Sequence, residues 1–138
     1  MAPLPFPKKK NRFIGTKRKD KLIATNGHDL IIGNGGADVI NARKGNDLID
    51  PSRWTGGGYD VVRTGKGSDT IILEDDYWVE IIDFNIKKDT LDLTRLNEDW
   101  NWDYFKGSKT TYIFNHEEDE VARFRGFVDL ANADIIWD

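Results

Sequence analysis

Aspartate recurs at Asp20, Asp29, Asp38 and Asp47, nine residues apart each time, and after a four-residue interruption it returns at Asp60 and Asp69, again nine apart. Carboxylates on a fixed spacing can share a divalent cation if the chain brings them together. Held close without one, they repel until one of them takes a proton. An ordinary core gives no reason for such a period. It marks a repeat, and a repeat decides the architecture before any other feature does.

The elements that must position these acids follow from cutting the chain into ninths: GTKRKDKLI (15–23), ATNGHDLII (24–32), GNGGADVIN (33–41), ARKGNDLID (42–50), TGGGYDVVR (55–63) and TGKGSDTII (64–72). Position six is always Asp. Position eight is aliphatic throughout: Leu22, Ile31, Ile40, Ile49, Val62 and Ile71. Position four is Gly27, Gly36, Gly45, Gly58 and Gly67, failing only at Arg18. A glycine two residues before the Asp marks a tight turn. The three residues after the Asp are β-prone, and the middle one points inward. Each unit is therefore a six-residue turn and a three-residue strand. Two units make a coil, and stacked coils align the position-eight side chains into an inner ladder and the Asp turns into two outer rows.

Stacking places each unit over the second one along. The expected facing pairs are Asp20 with Asp38, Asp29 with Asp47, Asp38 with Asp60, and Asp47 with Asp69. Asp29–Asp47, with Gly27 and Gly45 both present, is the cleanest. The two pairs that follow span Pro51-Ser52-Arg53-Trp54, read as a surface loop that leaves the stack intact. Asp20–Asp38 is the weakest, because its first turn reads Lys17-Arg18-Lys19. Carboxylate and backbone carbonyl oxygens, with no sulfur or imidazole, suit a hard cation of flexible coordination: calcium, rather than magnesium or zinc. The plainer alternative is that the Asp side chains merely satisfy turn amides. The expected ligand set is Gly27, Asp29, Gly33, Gly35, Gly36, Asp38, Gly45, Asp47, Gly58, Asp60, Gly67 and Asp69. With two carboxylates per site, affinities on the order of 10⁻⁴–10⁻³ M are expected, with folding coupled to binding.

The units resemble the RTX (hemolysin-type, serralysin-type) nonapeptide G-G-x-G-x-D-x-U-x, in which U is a large aliphatic residue; GNGGADVIN and TGGGYDVVR match it best. The resemblance implies a parallel β-roll, a form of β-solenoid, with calcium ions between the turns of successive coils. The stretch IIDFNIKKDTLDLTRL (81–96) is similar to the element that follows the repeats in serralysin-type chains, and ADIIWD to their ending. That implies an extracellular, secreted protein whose C-terminal region acts as an uncleaved type I export signal, although this chain ends on charged Asp138.

The expected organisation is all-β: a basic N-terminal tail at 1–14, the β-roll at 15–72 and a β-rich C-terminal capping region at 73–138. In the cap, 77–84, 89–94, 110–115 and 120–127 read as strands. Of these, 120–127 reads as an outer-face strand, Asn115–Asp119 as a hairpin turn, and the end as a short helical turn and a last strand. Solenoid ends need such a cover.

Cysteine is absent, so there is no disulfide framework and no thiolate metal site. No apolar run approaches a membrane helix, and the first ten residues lack the apolar stretch of a Sec signal. Residues 1–21 carry eight Lys/Arg against one Asp within a net charge of −4, so the remainder is strongly acidic. This argues against nucleic acid as a partner and makes the start a solvated tail. A monomer is expected. Nothing reads as an active site: His28 sits in a turn, His116-Glu117 lacks the second His of H-E-x-x-H, and no nucleophile motif occurs. The reading is a non-catalytic, calcium-binding module. The alternatives are a module presenting Arg53, Arg63 and Lys66 to an acidic polysaccharide, like those attached to alginate-modifying enzymes, and the C-terminal module of a secreted hydrolase or epimerase. Trp100, Trp102 and Tyr104 alternate along one strand face, which is either the cap's core or a sugar-stacking row.

Overall fold

The computed structural model describes residues 11–51, 59–75, 78–96 and 99–137. Among these residues there are thirteen strands and no helix. They are β1 (Asn11–Ile14), β2 (Lys21–Ile23), β3 (Asp29–Ile32), β4 (Val39–Asn41), β5 (Leu48–Asp50), β6 (Tyr59–Arg63), β7 (Thr70–Glu74), β8 (Trp78–Ile81), β9 (Thr90–Arg95), β10 (Asn101–Phe105), β11 (Thr110–Phe114), β12 (Glu120–Arg125) and β13 (Asp134–Ile136). The chain alternates between two sheets. One runs β1-β3-β5-β7-β9-β13 and the other β2-β4-β6-β8-β12-β11-β10. Pairing is parallel throughout, except in the β10–β11–β12 meander. This is the parallel β-roll expected from the repeat.

The strands are short because each has one task. Its middle residue enters the space between the sheets, and its neighbours face outward. Ile31, Ile40, Ile49, Val62 and Ile71 are all essentially inaccessible and belong to one core cluster. Leu30, Ile32, Leu48 and Ile72 form a separate buried cluster, on the opposite face of their sheet by the same alternation. Arg95 reaches across that sheet to Asp50 and Glu74, tying β9 to β5 and β7.

Several boundaries differ from the sequence reading. β1 begins at Asn11 and pairs in register with β3, Phe13 opposite Ile31, so residues 11–14 are the roll's first strand and not tail. Asn11 and Arg12 at its start conceal a strand in which Phe13 faces the core and Ile14 faces out. Nor does the roll stop at Ile72. β8 stacks on β6 and β9 on β7, both parallel, and β13 follows β9. Val79 takes the place opposite Asp60, so no Asp marks that coil. Pro51 is buried at the end of β5, and the register across the inserted residues is kept: Val39 pairs with Val61 and Leu48 with Thr70. Residues 52–58, which include the rest of the expected surface loop, lie outside the described residues.

The end of the chain follows the expected strand order with two corrections. β12 is not an outer-face strand: Val121, Ala122 and Phe124 are buried, and Phe124 is the largest fully buried side chain. A register shift in its pairing with β11 admits this pattern, because it lets two adjacent residues turn inward. The segment before β13 is a turn rather than a helical turn, with Leu130 anchored in the core. The hairpin at Asn115–Asp119 is as read, with the Asn115 side chain accepting from the N–H groups of Glu117 and Asp119.

Ile49→Ala, at the middle of the inner ladder, is expected to cost about 2–5 kcal/mol, measured by urea unfolding with cation present. A loss below about 0.5 kcal/mol would mean that the ladder is not the core.

Candidate metal centre

Each Asp at position six stands where a turn meets the strand that follows, and Asp20 and Asp29 also close the turn before them. In the turn 15–20, Asp20 Oδ2 accepts from the Thr16 N–H at 2.6 Å. In 24–29, Asp29 Oδ2 accepts from the Thr25 N–H at 2.9 Å, and the Thr25 hydroxyl reaches Oδ1 at 2.8 Å. The same side chains also join coils. The Asp20 N–H donates to Asp38 Oδ1 at 2.8 Å, Asp29 N–H to Asp47 at 2.8 Å, Asp38 N–H to Asp60 at 2.7 Å and Asp47 N–H to Asp69 at 2.8 Å. The four pairs expected from the sequence are thus the four that stack, including Asp20–Asp38 despite its lysine-rich turn.

The acids are not the outer rows that the repeat suggested. Asp29, Asp38, Asp47, Asp60 and Asp69 are all at most 2% exposed. They lie at the seam between turn and strand, where backbone from the adjoining coil closes over them.

Backbone stacks on backbone across the turns. A β-carbon on Gly45 (φ +108°) would stand 2.2 Å from the Gly27 carbonyl oxygen, and one on Gly67 (φ +114°) 2.0 Å from that of Gly45. Only glycine accepts both the contact and the dihedral. The result is a column of carbonyls beside a column of carboxylates. In the other row, Gly33 lies against the Pro51 carbonyl and beside Asp38 Oδ2, Gly35 over Lys17, and Gly36 over Arg18. Gly58 lies outside the described residues. Position five adds side-chain ties: His28 Nδ1 accepts from the Asn46 N–H, and the Asn46 Oδ1 from the Ser68 N–H. His28 is therefore a turn residue, as expected.

The ladder has a further rung that the nine-residue count missed. The Asp69 N–H donates to Asp89 Oδ1 at 3.0 Å, twenty residues on. Asp83 joins the same turn, its two oxygens accepting from the N–H groups of Thr64 (2.7 Å) and Gly65 (3.0 Å). The spacing of the D-F-x(4)-D stretch was the available signal, but it does not keep the repeat's period. Gly65 is the residue whose N–H, by analogy with Thr25 and Asp29, would serve Asp69; Asp83 takes it instead.

The electrostatics follow from burial. Among the described residues no donor reaches Asp38 Oδ2 or Asp69 Oδ2, both of which are inaccessible. Burial pushes the Asp38 carboxyl up to about 7 and, aided by Asp60 and Asp20, outweighs the lowering by the Asp20 N–H. Burial likewise pushes Asp69 up to about 8, with Asp89 and Asp47 adding repulsion against the N–H of Asp47. Asp89 is raised by burial, and Asp83 adds to this. Buried carboxylate oxygens without donors, stacked in pairs beside exposed carbonyl dipoles, are what a hard oxygen-seeking cation would complete. No group of three or more acidic, histidine or cysteine side chains suited to a metal occurs among the described residues, so carbonyl oxygens would have to finish the shell. The donor set fits calcium.

Comparison with known proteins agrees with this geometry. Residues 14–49 and 54–76 match the family described as RTX calcium-binding nonapeptide repeat (4 copies). No curated protein matches the chain. Among solved structures, the AlgE6R2 subunit of the Azotobacter vinelandii mannuronan C5-epimerase is similar at 25% identity and TM-score 0.70, over 91% of each chain. The AlgE6R3 subunit is similar in fold at 24% identity and TM-score 0.66, over 89% of this chain and 80% of that one.

The raised acids set the sign of a pH effect. Unfolded, these carboxyls titrate near 3.8; folded and without cation, Asp38 and Asp69 titrate near 7 and 8. Their contribution to stability is present below the unfolded value and is lost as pH rises through the folded ones. In cation-free buffer the thermal midpoint should therefore fall between pH 5 and pH 8, and calcium should restore it at pH 8. A cation-free midpoint that rises over this range would show that the acids are not held as described.

Proposed function

Because residues 14–49 and 54–76 match the RTX calcium-binding nonapeptide repeat, we propose that the chain is a calcium-stabilised β-roll module that works outside the cell as a structural and binding domain, without catalysis. The observation that carries this reading is the pair of inaccessible, donorless carboxylate oxygens at Asp38 and Asp69, one in each of the two stacked Asp rows. Asp29, Asp38, Asp47, Asp60 and Asp69 would hold the ions from the carboxylate side. The turn backbones at Gly27, Gly33, Gly35, Gly36, Gly45 and Gly67 would supply carbonyls, and Gly58 keeps its place in the repeat pattern. Asp89, with Asp83 beside it, extends the row by one gap. Bound calcium supplies positive charge that replaces the protons the acids otherwise need. The residues themselves close the turns, hold the coils in register and exclude water from the seam.

At low cytosolic calcium the repulsion is uncompensated and the coils are weakly held. At extracellular calcium they are stabilised by mass action. That difference suits export through a C-terminal signal of the type I kind, followed by folding outside. Among the described residues no helix is long and apolar enough to cross a membrane.

A second reading, retention on an acidic polysaccharide, draws support from one surface feature and one similarity. Arg43, Lys44 and Lys66 line a hollow of about 370 Å³ with Asn26 and Gly65 on the outside of the Asp29–Asp47–Asp69 turns. Arg63 is exposed on β6, and Arg53 lies outside the described residues. The similar structures are subunits of an enzyme named for mannuronan.

Far-ultraviolet circular dichroism during a calcium titration of chelated protein tests the first reading; a β signal indifferent to calcium would end it. Asp47→Ala, which removes an acid from two gaps, should cost more calcium-dependent stability than Asp20→Ala, which removes one from a single gap. Equal losses would contradict the ladder. For the second reading, immobilised anionic polysaccharide should retain the chain in calcium and release it as salt is raised, whereas passage without retention removes it.

A further inference from the structure

The row of rings expected to offer a sugar platform, Trp100, Trp102 and Tyr104, does not form one: Trp100 and Trp102 pack against the core cluster, and Tyr104 lies edge-on to Phe127 at 5.2 Å. The platform is on the other side. Strand alternation sends Ile113, Ala122, Phe124, Val79 and Ile81 into the core, so the intervening residues of β8, β11 and β12 face outward. There Tyr112 stands opposite Arg123, Arg123 opposite Glu80, and Trp78 opposite Tyr59.

These outward side chains touch one another in a continuous line. Phe105 meets Tyr112 edge-on at 5.2 Å, and Phe114 lies nearly parallel to Tyr112 at 5.9 Å. The Arg123 guanidinium fills the gap between rings, 5.3 Å from Tyr112 and 4.1 Å from Trp78, and Trp78 contacts Tyr59 at 4.1 Å. Glu120 holds the centre by accepting from both Trp78 Nε1 and Arg123 Nε. The line crosses five adjacent strands, β10-β11-β12-β8-β6, and so extends about 19 Å at the usual strand spacing. At its β10–β11 end it opens into a hollow of about 510 Å³ lined by Phe105, Lys106, Ser108, Tyr112, Phe114 and Glu120.

We propose that this aromatic line on the outer face of β6, β8 and β10–β12 is a stacking site for a polysaccharide strand of carboxylated pyranose sugars. The inference rests on the polysaccharide reading above and gives it a place distinct from the basic hollow on the turns. A pyranose ring has an apolar C–H face and a polar rim. The site offers both, with ring surface braced by the Glu120–Arg123 ion pair and with Ser108 and Glu120 beside it. A lipid surface would call for aliphatic side chains, yet among the outward positions of the site's five strands only Val61 of β6 is aliphatic. Arg123 and Arg125 are already matched by Glu120 and Glu80. Lys106 and Lys109 in the β10–β11 turn, with Arg63 at the β6 end, are cations that could meet a sugar carboxylate.

The test is titration of the calcium-loaded chain with mannuronan oligomers and with uncharged cello-oligosaccharides, followed by tryptophan fluorescence and calorimetry. Phe105→Ala/Tyr112→Ala, at positions outside the buried core and checked for an unchanged β signal, should weaken mannuronan binding about tenfold or more. Lys44→Ala/Lys66→Ala should keep most of it. Uncharged oligomers should bind more weakly. Binding that survives in the ring variant and disappears in the lysine variant would overturn this site while sparing the polysaccharide reading. Equal affinity for uncharged oligomers would overturn the carboxylate assignment. No binding of either polymer to the unaltered chain would remove both this site and the polysaccharide reading, and leave the calcium roll standing.

Discussion

The fold depends on one contact made repeatedly: the carboxylate of an aspartate in one coil accepts the backbone N–H of the aspartate in the coil before it. It sets register, because a slip of one residue would move both the acid and the inward aliphatic side chain to the wrong face. It also creates the charge problem, because the acid that serves as an acceptor is buried among others of its kind. Register and the burden of buried charge therefore arise from the same atoms. A roll built on neutral acceptors would hold its register without needing metal.

The two sheets share the inner ladder but differ outside. One carries apolar side chains and the Arg95 ion pairs on its outer face, and the other carries rings, arginines and glutamates. The C-terminal residues continue the architecture instead of adding a separate lid. β8, β9 and β13 stack as further rungs, and the β10–β11–β12 meander turns the second sheet antiparallel. That change of direction broadens one face at the end of the roll, and the ring surface stands there. The Asp20–Asp38–Asp60 row and the ring surface thus border successive stretches of one sheet.

What could be read from the residues followed the strength of the period. Ile31, Ile40, Ile49, Val62 and Ile71 were all legible as inward, and so were the four acid pairs, even across the insertion after Asp50. A position kept in six units leaves few alternatives. Legibility failed where the period lapsed. β1 lacks a preceding Asp, Val79 occupies an acid's place, and Asp89 arrives twenty residues after Asp69. The tryptophans drew attention because they cluster in sequence. The rings that line up in space come from four strands and are scattered between Tyr59 and Phe114.

By itself, then, the chain's pattern determined winding, register and the pairing of acids, because a nine-residue unit with one inward aliphatic and one tight turn closes in only one way. Tertiary structure alone decided how deeply the acids lie, which turn amides they lose to neighbours such as Asp83, and which aromatic side chains meet across strands. Those outcomes depend on distances between residues far apart in the chain, and no local spacing encodes them.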